Sequence, residues 1–157
     1  CIVADTITYN AAVSVCAKCA EWECALRLLH GMGYSRVEKQ TITYNAGVSA
    51  CEKGAAWVPA LQLLHDMAAC RLQANTITYS AMISACAKGA EWERASQLFC
   101  EMFDCRVERS TITFSAAVSA CEKDGQWLQA LQLLDEMVDD RVERSTITYS
   151  AAISACE

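Results

Sequence analysis

Pro59 is the only proline among 157 residues, and glycine occurs 6 times. A fold made of many short strands needs tight turns, and tight turns draw on both residues. Their scarcity excludes a β-rich architecture. Long apolar runs are also missing: polar residues interrupt every helix-length window, so no stretch reads as a membrane span. Basic residues are outnumbered, 13 Lys and Arg against 19 Asp and Glu, for a net charge of −6. A dedicated polyanion binder normally shows a basic footprint, and the chain has none in bulk. The deficit is uneven. Residues 6–40 carry +1, 41–75 are neutral, 76–110 carry −1, and 111–145 carry −4, with three Lys/Arg against seven Asp/Glu in that last stretch. No signal or transit peptide is visible. The chain opens at Cys1 rather than at a Met and closes at Glu157 partway through a unit, so it reads as a piece of a longer protein.

Apolar residues make up 54% of the chain, and cysteine is abundant at 11. The placement of the thiols argues against a disulfide framework. Cys16, Cys51, Cys86, Cys121 and Cys156 recur at one place in successive units. A small, buried, apolar-like residue in a packed seam explains that recurrence, and reduced thiols are expected. Cys16 and Cys19 form one Cys-x-x-Cys. A zinc site needs a second such pair or a His pair; neither is present, so no metal and no cofactor is expected.

A phrase, Thr-Ile-Thr-Tyr/Phe-Asn/Ser-Ala, begins at Thr6 and returns at Thr41, Thr76, Thr111 and Thr146, every 35 residues. A fixed period of this size marks a repeat array whose units cannot bury a core alone and must share one. The boundaries expected are a tail of a preceding repeat at 1–5, complete repeats at 6–40, 41–75, 76–110 and 111–145, and a truncated repeat at 146–157, all in one continuous domain.

Within a unit, Tyr9, Ala12, Val13 and Cys16 fall at i, i+3, i+4 and i+7, one face of an α-helix. Thr6 or Thr8 is expected to cap its start, and the helix is expected to end near Cys19-Ala20. Gly54, Gly89 and Gly125 near the corresponding place suggest the left-handed residue that closes a helix. A second face follows: Trp22, Ala25, Leu26, Leu29 and Met32, then Trp57, Ala60, Leu61, Leu64 and Met67, then Trp92, Ala95, Leu98, Phe99 and Met102, then Trp127, Ala130, Leu131, Leu134 and Met137. The Trp and Met stripes read as core packing at this spacing. Pro59 falls in a first turn, where its missing N–H costs little. Gly47 weakens its helix by up to about 1 kcal/mol relative to Ala. A polar tail closes each unit and carries one apolar residue, Val37, Leu72, Val107 or Val142, able to pin the loop to the core. The fold class expected is all-α: an α-solenoid superhelix of stacked antiparallel helix pairs.

No catalytic constellation appears, and no enzyme activity is expected. His30 and His65 share a place that later holds Cys100 and Asp135, which marks a variable surface place. Acidic pairs such as Asp135-Glu136 and Asp139-Asp140 read as solvated faces.

The period of 35, the opening Thr-Tyr-Asn, the Lys closing the first helix, the Ala-Leu-x-Leu-Leu run and the late Met together resemble the pentatricopeptide repeat (PPR) family, in its P-type repeat. The resemblance covers residues 6–145 and the truncated fifth unit. Where family repeats often carry Pro before the last residue, this chain has Lys39, Ala74, Arg109 and Arg144. With its Trp and Cys sets, it looks more like arrays of algal organelles than those of land plants.

PPR proteins bind single-stranded RNA at about one base per repeat. The resemblance implies base reading by the fifth and last residues: Asn10 with Gln40, Asn45 with Asn75, Ser80 with Ser110, and Ser115 with Ser145. The order implied is pyrimidine, cytosine, purine, purine. Ile7, Ile42, Ile77 and Ile112 stand where the family spaces bases with an apolar side chain, and a helix-start Ile also suits a core. Lys18, Lys53, Lys88 and Lys123 stand where the family faces phosphates, and a Lys there is favoured by the helix dipole as well. Asn and Ser early in a helix also serve as caps. The function implied is RNA processing, stability or translation in an organelle, a plastid more than a mitochondrion. The weak bulk basicity and the acidic fourth repeat point to a second expectation, an RNA-free scaffold for protein subunits of a large organellar complex such as a photosynthetic supercomplex or ribosome.

Overall fold

The structure, a computed structural model, describes residues 6–34, 37 and 39–156; the expected preceding-repeat tail at 1–5 lies outside them. Among the described residues the secondary structure is entirely helical: α1 (Thr6–Cys19), α2 (Trp22–Tyr34), α3 (Thr41–Lys53), α4 (Trp57–Ala69), α5 (Thr76–Lys88), α6 (Trp92–Asp104), α7 (Thr111–Lys123), α8 (Trp127–Asp139) and α9 (Thr146–Ser154). None is long and apolar enough to cross a membrane. The chain divides into two compact units, Cys1–Ala74 and Asn75–Glu157. In the first, α3 packs on α1, α2 and α4; in the second, α7 packs on α5, α6, α8 and α9.

Short two- and three-residue turns join the helices of each pair, and the same physical device ends both members. At the end of a first helix a residue with φ near +60° (Ala20, Ala55, Ala90 or Gly125) follows the last helical turn. The next N–H then reaches five residues back: Glu21 to the Cys16 carbonyl, Ala56 to Cys51, Glu91 to Cys86, Gln126 to Cys121. This is a Schellman ending. Second helices close likewise through Arg71, Arg106 and Arg141, with Leu72, Val107 and Val142 bonded back to Met67, Met102 and Met137. The apolar residue expected to pin each loop is therefore the one that completes the helix ending over the buried Met.

The glycine reading needs correction. Gly54 and Gly89 have ordinary φ of −83° and −82°; the left-handed residue is the Ala that follows each. Only Gly125 takes the positive φ expected of it. Gly54 is small for another reason: a Cβ there would meet Trp22 Cδ1 at 2.5 Å. Gly47 is likewise a packing requirement, because its Cβ would meet Leu29 Cδ1 at 2.6 Å and Leu63 Cδ1 at 3.2 Å.

The caps also differ from expectation. First helices α3, α5, α7 and α9 begin at the first Thr, and the cap is the residue before it. Asn75 Oδ1, Ser110 Oγ and Ser145 Oγ accept from the N–H of Thr78, Thr113 and Thr148 at 3.1, 3.4 and 3.2 Å. The hydroxyls of Thr78 and Thr113 accept in return from the N–H of Asn75 and Ser110. The third-place Thr is thus the inner half of a capping box, not the cap, and Thr43, Thr78, Thr113 and Thr148 are fully buried.

The four Met residues of the second helices are fully buried, as are Tyr44 and Phe114, while Tyr79 is nearly so. Tyr9 is half-buried and Tyr149 exposed. The second-helix stripe is shifted from the expected one. In α8 it runs Ala130, Leu133, Leu134 and Met137, spaced i, i+3, i+4, i+7. Leu131 falls about 100° away from Ala130 and is exposed, as is Trp127. In α4, Leu63 takes the buried place in preference to Leu61.

One packing device has no counterpart in the sequence reading. The basic residue just before the last place of a repeat stacks on the aromatic five residues later: Lys39 Nζ over Tyr44 at 5.8 Å, Arg109 over Phe114 at 5.5 Å, Arg144 over Tyr149 at 5.4 Å. Arg109 also covers Phe99 and Phe103 and pairs with Glu136 at 2.9 Å and Asp140 at 2.7 Å. Beneath it Phe99 and Phe114 meet edge to face, 4.8 Å apart.

Candidate nucleic-acid interface

The N-terminal turns of the first helices gather most of the candidate residues. The capping box places the second residue of each helix outward and the third inward. Ile7, Ile42, Ile77 and Ile112 lie 63–77% exposed, as does Ile147, while Thr43, Thr78, Thr113 and Thr148 are sealed and Thr8 of the first repeat is exposed. The core alternative for these Ile residues is excluded. An apolar side chain is thus left in solvent at the same place in every repeat.

The fifth residues sit one turn further along the same helices. Asn10 Oδ1 accepts from the Thr43 hydroxyl of the next repeat at 2.6 Å. Ser80 donates to the Ile77 carbonyl at 3.1 Å. Ser115 donates to the Thr111 carbonyl at 2.7 Å and lies 3.3 Å from the Thr148 hydroxyl. Asn45 is half-buried on α3. The last residues are the helix caps themselves. Asn75, Ser110 and Ser145 hold their helix starts with side-chain oxygens, and Gln40 closes the main-chain half of its box with its N–H 3.4 Å from Thr43 Oγ1. Three of the last-place candidates therefore already serve as helix caps. Ser hydroxyls and Asn amides have more bonding capacity than one cap uses.

The lysines close the opposite end of the first helices. Lys18, Lys53, Lys88 and Lys123 are all exposed. Lys123 Nζ lies 3.4 Å from the Lys88 carbonyl, an ammonium at a helix C-terminus where the dipole favours it. In the second unit this brings a pair of lysines onto neighbouring helix ends.

Three of the five recurring thiols lie in the expected buried seam, whereas Cys16 is half-buried and Cys156 exposed, against that expectation. Cys51, Cys86 and Cys121 are buried, and burial pushes each up to about 11, so they stay protonated and inert at neutral pH. Tyr44 and Tyr79 are also pushed up, first by burial and then by hydrogen bonds to Cys70 and Cys105. No group of His, Cys, Asp and Glu able to hold a metal ion occurs among the described residues.

The PPR repeat model matches residues 7–37, 77–107 and 112–142, more than half of the chain. No curated protein sequence matches. Solved structures do. The pentatricopeptide repeat protein PPR10 in complex with an 18-nt psaJ RNA element superposes with a TM-score of 0.84 at 22% identity, over 96% of this chain and 22% of that one. PPR10 from maize gives 0.77 at 23% identity, over 95% and 21%. The PPR domain of Arabidopsis thaliana protein-only RNase P 1 in complex with tRNA gives 0.80 at 16% identity, over 91% and 76%. At these identities the likeness shows the fold, an all-α solenoid of helix pairs. The chain spans about a fifth of the PPR10 chains it matches.

Proposed function

We propose that this chain, which belongs to the pentatricopeptide repeat family, binds single-stranded RNA along the N-terminal turns of its first helices. The observation that carries the reading is the exposed Ile at the second place of every repeat, two or three residues from a polar side chain with bonding capacity to spare. Apolar sandwiching holds any base, and a polar edge chooses among them. The capping box supports this by fixing the backbone under both. The residues are Asn10, Asn45, Ser80 and Ser115 with Gln40, Asn75, Ser110 and Ser145 for base edges, Ile7, Ile42, Ile77 and Ile112 between bases, and Lys18, Lys53, Lys88 and Lys123 toward phosphates. The role is organellar RNA processing, stability or translation, in a plastid more than a mitochondrion. Both relatives crystallised with RNA motivate the ligand class.

The test is salt dependence. Single-strand binding loses about 0.7 in the slope of log K against log salt for each phosphate contact released. Replacing Lys18, Lys53, Lys88 and Lys123 together by Gln is expected to flatten the slope by up to about 3. An unchanged slope removes the phosphate assignment.

A second reading, a scaffold for protein subunits of a larger assembly, rests on α8. It presents Leu128, Leu131 and Val138 to solvent in the repeat that carries −4. A pull-down with the chain that returns one organellar complex and no RNA favours it; RNA released by nuclease treatment favours the first.

A further inference from the structure

We infer that the buried third-place threonine is a positioning residue for base recognition: Thr43 and Thr148 reach across to the preceding repeat and fix the hydrogen-bonding sense of its fifth residue. The inference rests on the RNA reading above and adds a residue that never touches the ligand.

In the first unit the Thr43 hydroxyl has two bonds. It accepts from the Gln40 N–H at 3.4 Å and donates to Asn10 Oδ1 at 2.6 Å. A hydroxyl has one proton, and here it goes to Asn10. That bond settles the Asn10 amide with its oxygen inward. The Nδ2 amino group is then what Asn10 offers a base, so repeat one presents a donor. Uracil, with acceptors on both sides of its pairing edge, suits a donor better than adenine, whose single edge acceptor lies beside an amine.

In the second unit the hydroxyls form one directed chain. Ser115 spends its proton on the Thr111 carbonyl at 2.7 Å. It therefore accepts from Thr148 across 3.3 Å. Thr148, with its proton so used, accepts from Ser145 at 2.7 Å. Every proton in Ser145, Thr148 and Ser115 points along the chain, and each serine, having accepted one bond (Ser145 from the Thr148 N–H, Ser115 from the Thr148 hydroxyl), keeps one lone pair unused. Repeat four presents acceptors. The two repeats thus differ in sense although the same buried Thr organises both.

Thr113 supplies an internal control. It completes the same capping box with Ser110, but Ser80 bonds to the Ile77 carbonyl instead. Removing the Thr113 hydroxyl therefore weakens a helix start without releasing a fifth residue.

The experiment compares the parent chain with Thr43→Val, Thr43→Ser and Thr113→Val. Each is titrated with labelled oligo(U) and oligo(A), and each is melted by circular dichroism. Homopolymers remove the question of register. The ratio of oligo(U) to oligo(A) affinity is expected to fall about 2- to 10-fold in Thr43→Val, the weight of one net hydrogen bond. It is expected to return in Thr43→Ser and to stay at the parent value in Thr113→Val. A ratio that stays fixed in Thr43→Val, with both affinities falling in step with the melting temperature, assigns Thr43 to the fold alone and overturns the inference. A parent that binds neither homopolymer at low salt overturns the RNA reading itself, and the inference with it.

Discussion

Replacing Ile42, Ile77 and Ile112 together by Ala separates fold from function more cleanly than any other change in this chain. These side chains are 63–71% exposed, so only about a third of each contributes to the fold. Full burial of an Ile is worth roughly 1.5–3 kcal/mol, and a third of that is about 0.5–1 kcal/mol. Each site lies in a first helical turn, where the better helix propensity of Ala offsets about 0.4 kcal/mol. The net cost is a few tenths of a kcal/mol per site, and the melting temperature is expected to move little. Binding is different. Base contacts of this type contribute about 1–3 kcal/mol per base. An aliphatic side chain belongs at the low end, so three of them give about 3 kcal/mol, or roughly a hundredfold in affinity. The assay is fluorescence anisotropy with a short labelled single strand at fixed low salt, beside a thermal melt. A loss of less than about threefold with an unchanged melt refutes the assignment of these residues to the ligand. A melt that falls sharply refutes the view that they stand outside the core.

Three further outcomes follow from the packing. Ala90→Gly is expected to raise stability by about 0.5–1 kcal/mol in a denaturant titration, because Ala90 sits at φ +57° in a place that glycine occupies without strain. Arg109→Ala is expected to cost roughly 2–3 kcal/mol: the side chain is 12% exposed, lies over three Phe rings and holds two partly exposed carboxylates. Lysine in its place is expected to recover only a minor part, since it lacks the planar fork. Alkaline pH is expected to unfold the chain early. The thiols of Cys51, Cys86 and Cys121 are raised from 9.0 to about 11, so their contribution is complete below pH 9 and is lost as pH climbs through 11. Replacing all three by Ala flattens that decline if burial is the cause.

The repeat period and the helix pairs were legible in the sequence because apolar spacing and a fixed phrase report directly on which faces must be buried. The device at each helix end was not. A Thr-x-Thr opening offers two cap candidates, and only the geometry shows that the residue before both is the cap and the second Thr its reciprocal partner. Gly54 carried a real signal that pointed to the wrong cause: its smallness makes room for Trp22, while Ala55 bears the left-handed conformation. The Arg109 clamp was hidden because its carboxylate partners lie 27 and 31 residues away, in the last turn and at the C-cap of a helix whose acidic pairs read as a solvated face. For the surface, the recurrence of Ile, Asn/Ser and Lys marked out residues that share one place in each repeat. Recurrence alone does not distinguish a core Ile from an exposed one, since both repeat with the fold; exposure decides it. Nor does sequence reveal that Asn75, Ser110 and Ser145 each cap the helix that follows.

Competition between a single-stranded RNA and the same sequence annealed into a duplex tests the central claim most directly. The chain is titrated with each across a series of salt concentrations. Exposed Ile residues can part unstacked bases and cannot enter a stacked duplex. The single strand is therefore expected to bind, with affinity falling as salt rises, and the duplex to bind weakly at every salt. Equal affinity for the two forms, or no binding to the single strand at low salt, contradicts the account.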